Sequence, residues 1–298
     1  MPVVAPYRLD LTVAVLRRLS TNLVDTLTAD GDYVRVFNGF SHPIIARVKQ
    51  ERPTALAVTL DGCSDMRDCA RPLGLVGRTL GIDRDLSFFN AASESVAWLR
   101  PLAHRMRGVK PPRYPTLWEA CVNAVVFQQV SLVAASAILR RVITTLSTPA
   151  KGRSDTPSEF PGVEAFQGAP DHVLRAAGLS GRKLATLRRI ADALVAGTLD
   201  EAVLQRRSSQ DALAQLCGIK GIGQWTGTLI LLRGLGRLDV FPLNDTSVAS
   251  NLAFVAGSPP PNLEEALSVL GPQRGMLYYH LLLARLDARG EIGRASRG

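Results

Sequence analysis

The chain has 298 residues, of which 46% are hydrophobic, so it is long enough to bury a sizeable core and to form two domains. A formal net charge of +9 favours a polyanionic partner, with nucleic acid the first candidate, although a basic soluble enzyme could carry the same charge. The four cysteines form no CxxC pair, which argues against zinc fingers, iron–sulfur clusters and disulfides, and we expect no metal and no cofactor.

The N-terminal segment MPVVAPYRLDLTVAVLRRLS does not resemble a signal peptide, because Arg8 and Asp10 interrupt it and no basic segment precedes a long apolar run. No uncharged apolar stretch approaches ~20 residues, the length that a membrane span needs. We therefore expect a cytoplasmic protein without a membrane partner.

Three segments near the N-terminus are predicted to be strands: DYVRVFNG, HPIIARVKQ and TALAVTLDG. The first and third end in Asn-Gly and Asp-Gly, which are typical of turns between strands. Helical spacing begins near residue 88. The sequence thus predicts an α+β fold, with an N-terminal mixed α/β domain at 1–87 and a larger all-α domain at 88–298.

The second part of the chain is predicted to be a series of helices. The first is FNAASESVAWLRPLAHRM, with Asn90 as a candidate cap, and the Pro-rich RGVKPPRYPT is a connector. Two long helices follow from Thr116, with a break near Gln129–Ser131, and TPAKGRSDTPSEFPG is a predicted loop. Further helices are predicted from about Pro170 to Gly178, from Ser180 to Gly197, and from Ser208 or Ser209 to Gly218.

Three glycines crowd together in LCGIKGIGQWTGTLILLRG, between two predicted helices. A dinucleotide-binding fingerprint needs G-x-G-x-x-G after a strand, and a Walker A loop needs Gly-Lys-Ser/Thr, so neither fits. A helix–hairpin–helix fits better, because Gly221 and Gly223 permit a tight turn and free N–H groups at the next helix suit a DNA phosphate. The Thr226 hydroxyl could contact the same phosphate. A glycine-capped αα-turn without a ligand is the alternative.

The hairpin belongs to a longer series, GIKGIGQWTGTLILLRGLGRLDVFPLNDTSV, which resembles the HhH-GPD superfamily of DNA glycosylases. Within that superfamily it looks most like the AlkA-type 3-methyladenine DNA glycosylase II branch. The resemblance extends to LWEACVNAVVFQQVSLVAASAI and VLRAAGLSGRKLATLRRIADALVAGTL. The N-terminal part matches the family's α/β domain only in its general mixed α/β pattern.

The resemblance places Asp245 at the catalytic aspartate, although the sequence alone favours a plain helix N-cap. A fixed carboxylate would stabilise the positive charge that builds on the deoxyribose and would orient the attacking water. Trp225 stands where strand-cleaving members carry a lysine that forms a Schiff base, which implies a monofunctional enzyme. Trp225 would then line the base pocket, where its ring suits a cationic alkylated base, or be a buried core residue.

The resemblance also assigns residues to the pocket and to the DNA interface. Phe127 and Tyr278 join Trp225 in the expected base pocket. Gln129 matches the wedge that fills the gap left by a flipped nucleotide, with Gln128 helping to hold the loop, although both could be ordinary helix-surface residues. The expected DNA-binding residues are Gln128, Gln129, Lys220, Gly221, Gly223 and Thr226.

Some positions depart from the family pattern. Leu229, Thr246 and Leu282 stand where Tyr, Tyr and Trp are expected, which implies a wider and less aromatic pocket. By resemblance only, a monovalent cation could bind the backbone carbonyls of Cys217, Ile219 and Ile222. A basic cluster could meet phosphates or form a solvated face; it consists of Arg182, Lys183, Arg188 and Arg189.

The sequence therefore predicts a monofunctional DNA glycosylase of base excision repair, acting as a monomer on double-stranded DNA and located at the nucleoid in a bacterium. It would flip a damaged, alkylated purine and hydrolyse the glycosidic bond to leave an abasic site. Two alternatives stay open: the same fold acting on oxidised or deaminated purines, and a non-catalytic protein that binds damaged DNA.

Overall fold

The computed structural model describes residues 1–63, 66–147, 156–243, 245–257 and 261–292. Strands β1 to β4 are Thr26–Leu27, Tyr33–Phe37, Ile44–Arg52 and Ala55–Asp61. The helices, α1 to α15 in chain order, are Leu9–Arg17, Met66–Leu80, Ser87–Ser93, Arg100–Arg105, Leu117–Val126, Leu132–Leu146, Val163–Gly168, Asp171–Ala176, Gly181–Val195, Glu201–Arg206, Ser209–Cys217, Gln224–Arg233, Thr246–Ala256, Leu263–Leu270 and Met276–Ala288. Within the described ranges, none of these helices has the length and apolar character of a membrane span.

The N-terminal sheet is an antiparallel meander in the order β1-β2-β3-β4. Its register pairs Val36 with Ile45 and Val48 with Val58. Residues of β2 and β3 pack with those of α1 and α2 in one buried core, which includes Tyr33, Phe37 and Leu80. The three predicted strands are confirmed, and the α+β class with them.

A buried ion cluster joins this sheet to the helical part of the chain. The Arg35 guanidinium lies 2.6 Å from Asp25 Oδ1 and 2.5 Å from Glu119 Oε2 on α5, and all three side chains are almost fully buried. The hydroxyl of Tyr33 also donates to Asp25, at 2.8 Å. Breaking such a cluster by removing one partner would leave a buried charge uncompensated.

Two larger cores lie in the helical part. One is built around α5, α9 and α12, and the other around α13 and α15, with α1 packed on it. Helix α1 thus contributes Val13 to the sheet core and Val15 to the core of α15. The domain boundary at residue 87 stays a prediction.

Most predicted helix ends follow from local chemistry. Ser131, Ser180 and Ser208 each accept a backbone N–H at the start of a helix, and Gly178 and Gly197 follow helix ends with positive φ. Asn90 as a cap was wrong: α3 begins at Ser87, and Asn90 lies inside it. Asp85 instead accepts the backbone N–H of Ser87, the first residue of α3.

Two predicted segments differ in extent from the observed ones. The helix predicted from residue 89 to 106 is two helices, α3 and α4, with a break at 94–99. The predicted loop at 148–162 is non-helical over 156–162, and its residues 148–155 lie outside the described ranges.

Candidate active site

A helix–hairpin–helix is formed by α11, the turn at 218–223 and α12. Ile222 is buried in the core of α12 and its N–H donates to the Ile219 carbonyl at 2.9 Å. Gly223 is the N-cap of α12, and Lys220, three residues earlier in the turn, is exposed. The free N–H groups of the hairpin therefore lie at the positive end of the α12 dipole, as an anion site requires.

Positions 221 and 223 are occupied by glycine for different structural reasons. Gly221 has a φ of +106°, and a Cβ there would lie 2.0 Å from Oγ1 of Thr186 on α9. Gly223 has an ordinary φ of −95°, and a Cβ would meet nothing within 4 Å. The fold itself thus requires glycine at 221, whereas glycine at 223 leaves the outer surface open to a ligand.

Gln128 ties the turn after α5 to the hairpin. Its Nε2 donates to the Gly221 carbonyl at 3.1 Å and to Thr226 Oγ1 at 2.7 Å. The sequence led us to expect a contact between the Thr226 hydroxyl and a phosphate. Thr226 is only 3% exposed, so its hydroxyl does not face the surface where a phosphate would bind. The contact that it makes instead holds Gln128 and the hairpin together.

Gln129 occupies the turn between α5 and α6. It is exposed and has a φ of 54°, which is uncommon for a residue with a side chain. The break predicted near Gln129–Ser131 is confirmed, because α5 ends at Val126 and α6 begins at Leu132. The wedge role of Gln129 stays a prediction.

Asp245 is fixed at the start of α13. Its Oδ1 accepts the backbone N–H groups of Ser247 at 2.7 Å and Val248 at 3.3 Å, which makes it the N-cap. Its Oδ2 accepts the indole Nε1–H of Trp225 at 2.7 Å. Asp245 is 9% exposed, and the three hydrogen bonds give both of its carboxylate oxygens a set direction.

The bond from Trp225 to Asp245 was not predicted from the sequence. Trp225 is half-buried and packs against the core of α5 and α12. Its N–H orients the carboxylate while part of its surface remains accessible. A pairing of residues 20 positions apart on two helices has no local signature, so the sequence could not reveal it.

The other two expected pocket residues are also half-buried. Phe127 is the C-cap of α5, and the guanidinium carbon of Arg18 lies 3.8 Å from the centre of its ring. Tyr278 packs against both large cores, so it lies where they meet. Phe127, Trp225 and Tyr278 therefore all lie at the edges of cores, and their role as a base pocket stays a prediction.

The departures from the family pattern lie in different surroundings. Leu229 and Leu282 are buried, and Thr246 is exposed at the start of α13. The aromatic rings that the family pattern would place at these positions are absent from the sequence.

The basic cluster on α9 is largely structural. Arg188 donates to the carbonyls of Phe166, Gln167 and Ala169, and Lys183 donates to the Val126 carbonyl at the end of α5. Arg182 and Arg189 remain exposed, and Arg189 donates to the Lys220 carbonyl at 3.3 Å. Of this cluster, Arg189 is thus the residue tied to the hairpin.

In the part of the chain that the structure describes, no group of three or more His, Cys, Asp or Glu side chains could hold a metal ion. The Ile219 carbonyl already accepts one N–H, from Ile222. The monovalent cation at the carbonyls of Cys217, Ile219 and Ile222 stays a prediction.

These features define a helix–hairpin–helix in which α12, the helix after the hairpin, carries the indole that bonds the fixed carboxylate of Asp245. A family model described as "HhH-GPD superfamily base excision DNA repair protein" matches residues 122–272, about half of the chain. The chain belongs to this superfamily.

Curated relatives match part of the chain. DNA-3-methyladenine glycosylase 1 of Schizosaccharomyces pombe is 33% identical over 141 residues, which is 46% of this chain and 57% of that protein. A probable bifunctional transcriptional activator/DNA repair enzyme AlkA of Mycobacterium tuberculosis is 31% identical over 185 residues, 61% of this chain and 36% of the relative. The match thus spans only 57% and 36% of the length of these two relatives.

Solved structures share the fold over nearly the whole chain. A 3-methyladenine DNA glycosylase from Archaeoglobus fulgidus superimposes with a TM-score of 0.79 over 97% of this chain and 98% of that one, at 21% identity. An 8-oxoguanine glycosylase/lyase from Clostridium acetobutylicum, in complex with double-stranded DNA, has a TM-score of 0.73 at 12% identity over 95% and 93% of the two chains. At these identities the likeness concerns the fold.

Proposed function

We propose that this protein is a monofunctional DNA glycosylase of base excision repair that removes a damaged purine, of the alkylated class, from duplex DNA. The observation that carries the proposal is the Asp245 carboxylate, held by three N–H donors, one of which is the indole of Trp225. The two curated relatives support it, because their names describe a 3-methyladenine glycosylase and an AlkA-type repair enzyme.

The hairpin binds DNA through its backbone. A phosphate is held by the N–H groups before α12, with the Lys220 ammonium nearby, and these contacts fix register without reading sequence. The damaged nucleotide leaves the stack and enters the cleft edged by Phe127, Trp225 and Tyr278, while Gln129 fills the gap. Gln128 keeps this wedge turn and the hairpin at a fixed distance.

Asp245 acts on the sugar. As the N-glycosidic bond breaks, its electron pair leaves with the base and positive charge develops on the deoxyribose, which the carboxylate stabilises. Water then adds to C1′ and loses a proton, leaving an abasic site. Trp225 has no amine, so no Schiff base with the sugar forms at that position.

A non-catalytic DNA binder explains the site less well. A hairpin that binds phosphate gains nothing from a nearly buried carboxylate, which repels the same phosphates. Oxidised or deaminated purines remain a second candidate for the substrate, and the presence of Leu229, Thr246 and Leu282 at family aromatic positions favours it.

The test uses duplexes that each carry one defined lesion: 3-methyladenine, 7-methylguanine, hypoxanthine or 8-oxoguanine. After incubation with the protein, alkali converts abasic sites into strand breaks. We expect breaks only after alkali and no adduct trapped by borohydride. Absence of release from every lesion would contradict the enzyme, and strand cleavage before alkali with a trapped adduct would contradict the monofunctional mechanism.

A further inference from the structure

The end of α5 lacks a backbone partner that a continuous helix would provide. In an uninterrupted helix the Val126 carbonyl would accept the N–H of Val130, four residues later. The chain turns at Gln129 instead, with a φ of 54°, and among the described residues no backbone N–H donates to the Val126 carbonyl. Val126 is fully buried, so water does not reach this oxygen and it depends on a donor from the protein.

That donor is Lys183, in the first turn of α9. Its Nζ donates to the Val126 carbonyl at 2.8 Å, and the side chain is half-buried. A cation at the C-terminal end of a helix is also attracted by the helix dipole. Lys183 therefore stabilises the end of α5 at Val126 against continuation of the helix into the wedge turn, residues 127–131.

The same side of α9 contacts the hairpin. Residues 183, 186 and 189 are spaced three apart, so their side chains follow one another along one side of the helix. Thr186 packs against Gly221, and Nη1 of Arg189 donates to the Lys220 carbonyl at 3.3 Å. One row of α9 side chains thus touches both the end of α5 and the hairpin.

We propose that Lys183 is a positioning residue for the wedge. By holding the Val126 carbonyl, it fixes the wedge turn so that Gln129 meets the duplex at a set distance from the hairpin. This inference rests on the proposed function, in which Gln129 fills the gap left by the flipped nucleotide. A direct phosphate contact explains Lys183 less well, because its ammonium is already bonded to a buried carbonyl.

Two physical effects make this support necessary. Positive φ at a residue with a side chain is unfavourable, so the conformation of Gln129 persists only where its surroundings hold it. A turn that had to be ordered on the DNA would also lose part of the binding free energy, whereas a turn that is already ordered would not. Loss of the Lys183 donor would leave a buried carbonyl without a partner and release the turn.

The test uses a duplex with 2-aminopurine, which fluoresces more strongly when unstacked, beside a tetrahydrofuran analogue of an abasic site. Insertion of the wedge is thereby measured without any catalytic step. The gain in fluorescence on binding, and the dissociation constants for this duplex and for an undamaged one, are compared for the wild type and Lys183→Met. Gln129→Ala, which removes the wedge, defines the signal that remains without it.

Three further variants complete the comparison, with thermal unfolding to check that each is folded. Lys183→Gln is polar, but its amide is too short to reach the Val126 carbonyl, so it replaces Lys183→Met if methionine prevents folding. Lys183→Arg keeps a long cationic donor. Lys49→Met is the matched control, since it removes the same charge from an exposed position on β3.

We expect Lys183→Met and Lys183→Gln to lose most of the fluorescence gain and to bind the abasic duplex about tenfold more weakly, with affinity for undamaged duplex within about twofold of the wild type. Lys183→Arg should keep most of the gain, and Lys49→Met all of it.

The wild-type gain in a folded Lys183→Met or Lys183→Gln protein would overturn the inference. An equal loss of affinity for both duplexes would also overturn it, because a phosphate contact acts on both alike. So would a wild-type gain no larger than that of Gln129→Ala. Failure of the wild type to release any damaged base would instead contradict the proposed function, and this binding test would still decide the role of Lys183.

Discussion

At the scale of single residues, the geometry of Asp245 depends on a hydrogen bond that crosses from α12 to α13. The two backbone donors of α13 hold Oδ1, but Oδ2 has only the Trp225 indole as its side-chain partner among the described residues. A carboxylate that stabilises a developing charge must be held in place before the reaction. The indole therefore orients the carboxylate, in addition to the role in the base pocket that we propose for its ring.

Trp225→Phe should separate these two roles, because phenylalanine keeps an aromatic wall and removes the N–H. We expect single-turnover base release to fall about tenfold to a hundredfold, with the affinity for lesion-containing duplex kept within a few-fold. Trp98→Phe is the control, since Trp98 is a half-buried indole that packs on the other helical core. Equal release by Trp225→Phe and the wild type would show that the hydrogen bond does not matter.

The sequence predicted residues whose role depends on their neighbours along the chain and missed those that depend on distant contacts. Asp245 was found because it starts a helix within a recognisable series of residues. The contact between Lys183 and Val126 was missed, since it joins residues 57 positions apart on two helices. No periodicity or spacing connects those two positions.

At the scale of secondary-structure elements, the hairpin between α11 and α12 depends on its packing against α9. Gly221 approaches Thr186 so closely that no other residue fits, whereas Gly223 faces open space. The same motif thus contains one glycine that the fold requires and one that the fold does not require.

Gly221→Ala and Gly223→Ala make a matched pair. We expect Gly221→Ala to destabilise the protein by about 2 kcal/mol or more in urea unfolding, because of the positive φ and the clash with Thr186. Gly223→Ala should leave stability within about 0.5 kcal/mol but weaken binding to duplex DNA, because its Cβ would stand in the path of a phosphate. Full DNA affinity in Gly223→Ala would contradict the phosphate site.

The sequence predicted elements best where caps and turns are local. Helices with Ser caps and Gly ends were confirmed, as were the strands that end in Asn-Gly and Asp-Gly. The sequence did not predict helices α1 and α2 or the two-residue strand β1, because their structure depends on packing against the rest of the sheet core. The order of the sheet likewise comes from pairing between strands and not from any one segment.

At the scale of the whole molecule, the core of α13 and α15 contains a titratable group that makes its stability depend on pH. His280 is buried, lies against the ring of Phe89, and donates from Nδ1 to the Met276 carbonyl at 2.8 Å. Burial lowers the pKa of His280 from 6.5 to about 4, although the bond to Met276 opposes this. The native state therefore holds a neutral imidazole at neutral pH.

The pH dependence follows from this shift. Between pH 6.5 and about 4 the unfolded chain binds a proton at His280 and the native protein does not, so stability that is present above pH 6.5 is lost as the pH falls. The loss amounts to about 3 kcal/mol at pH 4. In His280→Leu, the fall in unfolding free energy between pH 6.5 and pH 4 should be smaller by that amount. An unchanged slope would contradict the buried neutral state.

Asp245→Asn tests the proposed catalytic role of Asp245 directly. Asparagine is an equally good N-cap, so α13 and the fold should persist while the negative charge is lost. The measurement is single-turnover release from a duplex with a lesion that the wild type excises, together with the dissociation constant for that duplex. We predict release reduced by roughly a hundredfold to a thousandfold with binding retained. Release at the wild-type rate from a folded, DNA-binding Asp245→Asn protein would contradict the catalytic role of Asp245.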